Sequence, residues 1–273
     1  MSTALTVAKR SDIVALNPSD PRVEGLLYNI KMGGGLSIAD IPKVKNPSGG
    51  ALVFGLDIPG REPEYIKEMT GLILHAASRR TLWADKSIGS GESPVCESRD
   101  MENARVRKDE MGGLDVPENI LKIAMPGGEE GKCVGCAFNE WGTAVDGNGR
   151  PTRGKACAES RVIYFLRVGD VLPVQITVPS GSLQAFSLAI KALPIRADKA
   201  VVKLSLTKAK SGGGVDFAQY NLSFVSALDD ESYAAVGEYG KMLEKVFANA
   251  SATRDTVKAL PRNEPQGKTC DTF

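Results

Sequence analysis

Apolar and polar positions along the chain fall into two periodicities, period two and the helical period, separated by a long stretch that has neither. Ala51–Ile58 (ALVFGLDI) is an apolar run stopped by Pro59-Gly60, which predicts a short strand. Glu64–Thr70 reads as a helical turn, and Gly71–Trp83 (GLILHAASRRTLW) as a second strand, long and bent. Arg161–Arg167, a Gly169-Asp170 turn and Val171–Val178 predict a third strand broken in two. Pro179-Ser180 opens a predicted helix with Ser180 or Ser182 as N-cap and Pro194 as its stop. Leu183, Phe186, Leu188, Ile190 and Leu193 lie on or near its apolar face. Ala200–Lys208 and Val215–Val225 alternate around Ser211–Gly214, which predicts a hairpin. Asp229–Ala248 reads as an amphipathic helix, with Glu231 near its start and Lys241 and Lys245 toward its end, as the helix dipole favours.

These elements divide the chain into an irregular arm (1–50), a folded unit (51–226) carrying an insertion at about 86–157, a C-terminal helix (227–252) and a flexible tail (253–273). The order is strand, strand, insert, strand, helix, strand, strand. A mainly β (α+β) fold, an OB-like five-stranded barrel with its helix between the third and fourth strands, has that order. Any antiparallel β protein with one central helix shares it.

The polar stretch Lys86–Lys155 has no apolar period of its own, yet four of the five cysteines lie within it or, as Cys157 does, just past its end. A coreless segment of that length needs a staple. The spacing Cys96-x36-Cys133-x2-Cys136-x20-Cys157 offers one chelating pair and two further thiols, a tetrahedral S4 set with no open position. One structural Zn2+ is the expectation, against the alternative that some of these residues are simply small buried side chains. Asp146-Gly147-Asn148-Gly149 is a turn sequence between the last ligands, and Phe138 and Trp141 are placed to cover the cluster.

Catalytic constellations are lacking. The one histidine, His75, sits mid-strand and reads as a core or barrel-lining residue. Gly127 to Lys132 is one residue short of a phosphate-binding loop, and His75-Ala76-Ala77 with Lys132-Cys133 fails the deaminase pattern. Asp109-Glu110 and Asp229 with Glu231 read as solvated charges, so a non-enzyme is expected. No apolar run is long enough to span a bilayer, and Met1–Lys9 is too short and polar for a signal peptide, so the expectation is cytoplasmic, with no membrane partner.

Net charge is near zero, but from Trp141 to Lys210 eleven Lys/Arg face four Asp/Glu, while Asp85–Gly135 has seven basic against eleven acidic residues. Such asymmetry suits a polyanion partner. Arg79, Arg80, Arg150, Arg153, Lys155, Arg161, Arg167, Lys203 and Lys208 are the candidate phosphate contacts, and Trp83, Tyr164 and Tyr220 the candidate stacking rings. Phe165, Phe186 and Phe224 are assigned to the core.

The segment Cys133-Val-Gly-Cys136-Ala-Phe-Asn-Glu-Trp141-Gly142, continuing to Gly154-Lys155-Ala-Cys157, with Leu172-Pro173 to Leu183 downstream, resembles uncharacterised phage and mobile-element proteins over roughly residues 96–225. An OB barrel with a zinc subdomain is similar in plan to some phage single-stranded DNA-binding proteins. That resemblance implies binding of single-stranded DNA in replication or recombination, with little sequence preference. The ending Asp271-Thr272-Phe273 resembles the tail by which such proteins recruit replication partners. The alternatives left open are a zinc-stabilised protein-interaction module without nucleic-acid affinity, and a metal-dependent nuclease.

Overall fold

A computed structural model describes residues 7–8, 13–17, 20–37, 40–47, 51–58, 62–83, 94, 96–106, 130–145, 150–211 and 214–252. The chain is mainly β, with its strands joined in one curled, open sheet. The strands are β1 (Val7–Ala8), β2 (Lys43–Lys45), β3 (Phe54–Asp57), β4 (Glu64–Ile66), β5 (Glu68–Leu82), β6 (Cys96–Ser98), β7 (Asn103–Val106), β8 (Glu130–Lys132), β9 (Ala158–Arg167), β10 (Val174–Val178), β11 (Ala200–Lys210) and β12 (Asp216–Leu228). The α-helices among the described residues are α1 (Pro21–Met32), α2 (Ser180–Lys191) and α3 (Asp230–Ala252). The main path runs β1-β12-β11-β5-β9-β10-β2-β3-β4, and β6, β7 and β8 branch from β5.

β5 is the pivot. Glu68–Gly71 pairs antiparallel with Ser205–Val202 of β11, and Gly71–Thr81 with Arg167–Ala158 of β9. A register shift between Ile73 and His75 bends the strand, as a bulge does. Gly71 stands where the neighbouring strands crowd, and a Cβ there would lie 2.0 Å from the Leu166 carbonyl oxygen. The far end, Arg80–Leu82, pairs with Ser98–Cys96 of β6.

β9 is buried on both faces, Val162 through Leu166 without a break. Ile163 and Phe165 join the main core with Phe54, Ile176, Val202, Leu204 and Phe186 of α2. Val162 and Tyr164 point the other way and pack with Ile41 and with Leu243 of α3. A sheet covered on both faces permits an apolar strand without alternation.

Several expectations change here. Residues 1–50 are not wholly irregular. Asp20 caps α1 by accepting the Arg22 N–H, Pro21 takes the first helical position, and Ile13, Leu16, Ile41 and Val44 are buried. β2 also adds in parallel to β10, which supplies an edge that a three-residue strand could not form by itself. Glu64–Thr70 is no helical turn but β4 and the start of β5, because pairing with β3 and β11 overrides local preference. Pro179, not a serine, occupies the N-cap of α2. Ser182 is buried and its hydroxyl accepts the Tyr220 N–H, while Leu188 is 59% exposed. His75 is exposed rather than lining the core, its ring 6.0 Å from that of Tyr164.

β10 and β12 do not pair among the described residues, so the sheet stays open at that seam. Asn46 spans it. Its Nδ2 donates to the Thr177 carbonyl of β10 at 3.0 Å, and its Oδ1 accepts the Tyr220 hydroxyl of β12. No helix among the described residues is long and apolar enough to cross a membrane. Most of the insertion (84–93 and 107–129), the Asp146–Gly149 turn, Asp109-Glu110, the Gly127–Glu129 stretch and the tail from 253 to Asp271-Phe273 lie outside the described residues.

Candidate metal centre and nucleic-acid interface

Sheet register places two of the cysteines, Cys96 and Cys157, on either side of one strand. Leu82 pairs with Cys96 across the β5–β6 ladder, and Thr81 pairs with Ala158, so Cys157 comes level with Leu82 on its other side. Residues opposite one another in a ladder share a face. Cys133 follows β8 and donates its N–H to the Glu102 carbonyl at 2.8 Å. Gly135, at φ 75°, turns the C-x2-C segment back, and the Cys136 N–H reaches the Cys133 carbonyl at 3.4 Å. The next 3-10 turn, Ala137–Asn139, is tied to the start of β9 by a Cys157 N–H to Phe138 carbonyl bond of 2.9 Å.

The thiols feel this convergence. Burial pushes Cys96 up to about 12, and Cys157, Cys136 and Cys133 nearby add to the shift. Cys157 rises to about 11, again through burial first and Cys136 and Cys133 second, while Arg80 and Lys155 oppose it. Cys136 is raised by burial against the pull of backbone hydrogen bonds from Phe138 and Asn139. Backbone N–H groups aimed at a sulfur favour its thiolate. Soft thiolates in an S4 set suit zinc or an iron–sulfur cluster, and a closed set leaves no position for substrate. Among the described residues no group of three or more His, Cys, Asp or Glu side chains is drawn into metal-holding geometry.

The chain matches no protein-family model, no curated protein and no solved structure. Its chemistry is therefore read from its own residues.

The candidate nucleic-acid residues do not form one surface. Tyr164 and Tyr220 are corrected from stacking rings to core: they are 4% and 1% exposed, and burial raises both phenols. Helix α3 covers the first, and the second packs on Phe54 at 5.5 Å between ring centroids. Arg167 is engaged by Asp170 and, at 3.0 Å, by Glu64. Lys203 pairs with Glu68 at 3.2 Å and Lys208 with Asp216 at 2.8 Å, so acids brought from other strands answer these charges. Arg80 is turned inward to the cysteines, donating Nη1 to the Met101 carbonyl. Arg79 and Arg161 lie half-buried on β5 and β9, and Trp83 half-buried just beyond β5.

Arg150 and Arg153 are exposed and Lys155 is half-buried on the strip that leads to Cys157. Lys155 Nζ lies 5.1 Å from the centroid of the Trp141 ring and 3.3 Å from Asn139 Oδ1. Trp141, expected to cover the cluster, is 76% exposed instead. Sequence reasoning did not mark it as an exposed ring beside a cation. Its position within the basic strip, rather than within a strand, was the available signal.

Proposed function

We propose that the protein is a non-catalytic single-stranded DNA-binding protein, of the phage replication or recombination type, whose DNA-contacting insert is stapled by one zinc ion on Cys96, Cys133, Cys136 and Cys157. The observation that carries this reading is the exposed Trp141 ring with the Lys155 ammonium 5.1 Å from its centroid, on a segment that also carries the exposed Arg150 and Arg153. A ring that stacks a base next to cations that meet phosphates is the working unit of single-strand recognition. The pairings β5–β9, β9–β10, β5–β11 and β11–β12, with α2 between β10 and β11, support an OB-like barrel left open at the β10–β12 seam. On that plan the insert falls between the first two barrel strands, a loop position that OB folds use for nucleic acid. Zinc would hold the insert rigid and carries no chemistry of its own here. A reducing cytoplasm suits four free thiols.

Fluorescence anisotropy of labelled poly-dT, titrated with zinc-loaded protein at low and high salt, tests the reading. Micromolar or tighter binding that weakens steeply with salt is expected. Absence of binding at low salt overturns it. A second reading, a zinc-stapled protein-interaction module, is favoured by Val134, Trp141 and Val145, which are 82%, 76% and 52% exposed on the same insert. It would be taken up if poly-dT fails to bind.

A further inference from the structure

A buried guanidinium nitrogen near the cysteines has no hydrogen-bond partner among the described residues. Arg80 lies on β5 two residues before Leu82, hence on the same face of the strand. Its row in the ladder is flanked by Ser98 of β6 and Glu159 of β9, and the next row holds Cys96, Leu82 and, level with them, Cys157. Nη1 donates to the Met101 carbonyl at 3.2 Å, which fixes the head against the β6–β7 hairpin. Nε is buried and has no hydrogen-bond partner among the described residues. An unmade hydrogen bond on a buried charged group is costly, so a partner is called for.

Four thiolates on a divalent ion leave a net charge of about −2 in a half-buried site, and a charge of that size needs an answering cation or hydrogen bonds to sulfur. We propose that Arg80 is a positioning residue of the zinc cluster, its Nε–H donating to a ligating sulfur of Cys136 or Cys157 while its charge offsets the tetrathiolate. This rests on the zinc reading above and extends it. Arg80 thereby acts through the ligands, and the phosphate contact expected of it from sequence is replaced by a role inside the protein. Removing the N–H leaves a more electron-rich sulfur, which is more nucleophilic and easier to alkylate.

The test uses the full chain, zinc-loaded, as wild type, Arg80→Gln, Arg80→Lys and, as a surface control at the end of α2, Lys191→Gln. Zinc transfer to a colorimetric chelator, alkylation by iodoacetamide, and the thiolate-to-metal absorption band of the cobalt-substituted protein are read. Arg80→Gln is expected to release zinc about 10- to 100-fold faster, to alkylate faster and to move the cobalt band to lower energy. Arg80→Lys, which keeps the charge but not the planar N–H, should fall between, and Lys191→Gln should match wild type. A band and an alkylation rate unchanged in both Arg80 variants overturn the proposal even if melting temperature drops, because a packing role alone would leave the sulfurs as they were. Wild-type protein that takes up neither zinc nor cobalt would remove the metal reading itself, a result distinct from metal uptake with no dependence on Arg80.

Discussion

Arg80 and Cys133 are anchored by adjacent carbonyls of a single loop: Arg80 Nη1 donates to Met101 O at 3.2 Å, and the Cys133 N–H to Glu102 O at 2.8 Å. A ligand candidate and the cation beside it are thus set by the same few residues between β6 and β7. Asp100 holds that loop. Its Oδ1 accepts the Asn103 N–H at 2.7 Å, the Glu102 N–H at 2.9 Å and the Ser98 hydroxyl at 3.1 Å. The Asn103 backbone bond is the chief reason its carboxyl lies well below the usual carboxylate range.

Asp100→Ala should therefore weaken zinc binding without touching a sulfur. A loss of about tenfold or more is expected, the usual consequence of freeing an outer support of a metal ligand. Competition with a chelator of known affinity measures it. Equal affinity in the variant would separate the hairpin from the metal site.

If zinc is bound as proposed, removing it should loosen the insert and spare the main core, since Ile163, Phe165, Ile176, Val202 and Phe186 pack without any residue of the insert. Cys136→Ser should bind less than one zinc per chain. Amide exchange in 130–145 should rise sharply while β11 and β12 stay protected. Collapse of protection in β11 and β12 would show that the metal holds the whole fold.

How far the sequence reached depends on whether a feature is local. The alternation of β11 and β12 and the burial of Phe165 and Phe186 follow from period and propensity, and they appear as expected. Tyr164 failed because the helix that covers it lies far along the chain, and no pattern within β9 tells a two-sided strand from a one-sided one. Arg167, Lys203 and Lys208 read as free positive charge until folding brought Glu64, Glu68 and Asp216 against them. Cys133 and Cys136 were marked by their own spacing, whereas the place of Cys96 depends on a ladder with Leu82 that the sequence does not encode locally. Trp141 follows the cysteine pair closely, but nearness in sequence does not decide which way a ring faces, and this one faces solvent.

Gly71→Ala tests the pivot. With the Leu166 carbonyl oxygen 2.0 Å from the added carbon, β5 and β9 must separate, and backbone has no rotamer by which to yield. A loss of about 3 kcal/mol or more is expected in denaturant unfolding, as for other severe steric insertions. A loss below about 1 kcal/mol would mean that the strand crossing is looser than this contact.

Tyr220 gives the alkaline limb of stability. Its folded phenol is raised above the ordinary value of 10 by burial, so the unfolded chain loses this proton first as pH climbs. The folded state is favoured fully below about pH 10, and stability falls from there upward. Tyr220→Phe removes that titration together with the bond to Asn46. It should cost about 1 kcal/mol at neutral pH and show a shallower decline above pH 10 than wild type. Parallel declines would place the alkaline sensitivity in Tyr239, whose phenol burial also raises.

The last prediction sets Trp141 against Tyr164, the ring found exposed against the ring expected to stack. Stacking of one base on an aromatic ring is worth about 1–3 kcal/mol, so Trp141→Ala should weaken poly-dT binding by about 5- to 150-fold. Lys155→Ala should lower the slope of log affinity against log salt by about one phosphate contact. Tyr164→Phe keeps the buried ring and should leave affinity unchanged, because α3 keeps that face from any ligand. Anisotropy titrations of the three variants over a salt series measure all of this. If Trp141→Ala bound as tightly as wild type while Tyr164→Phe bound less tightly, DNA would have to reach the face beneath α3, and the helix would have to move aside for it to enter.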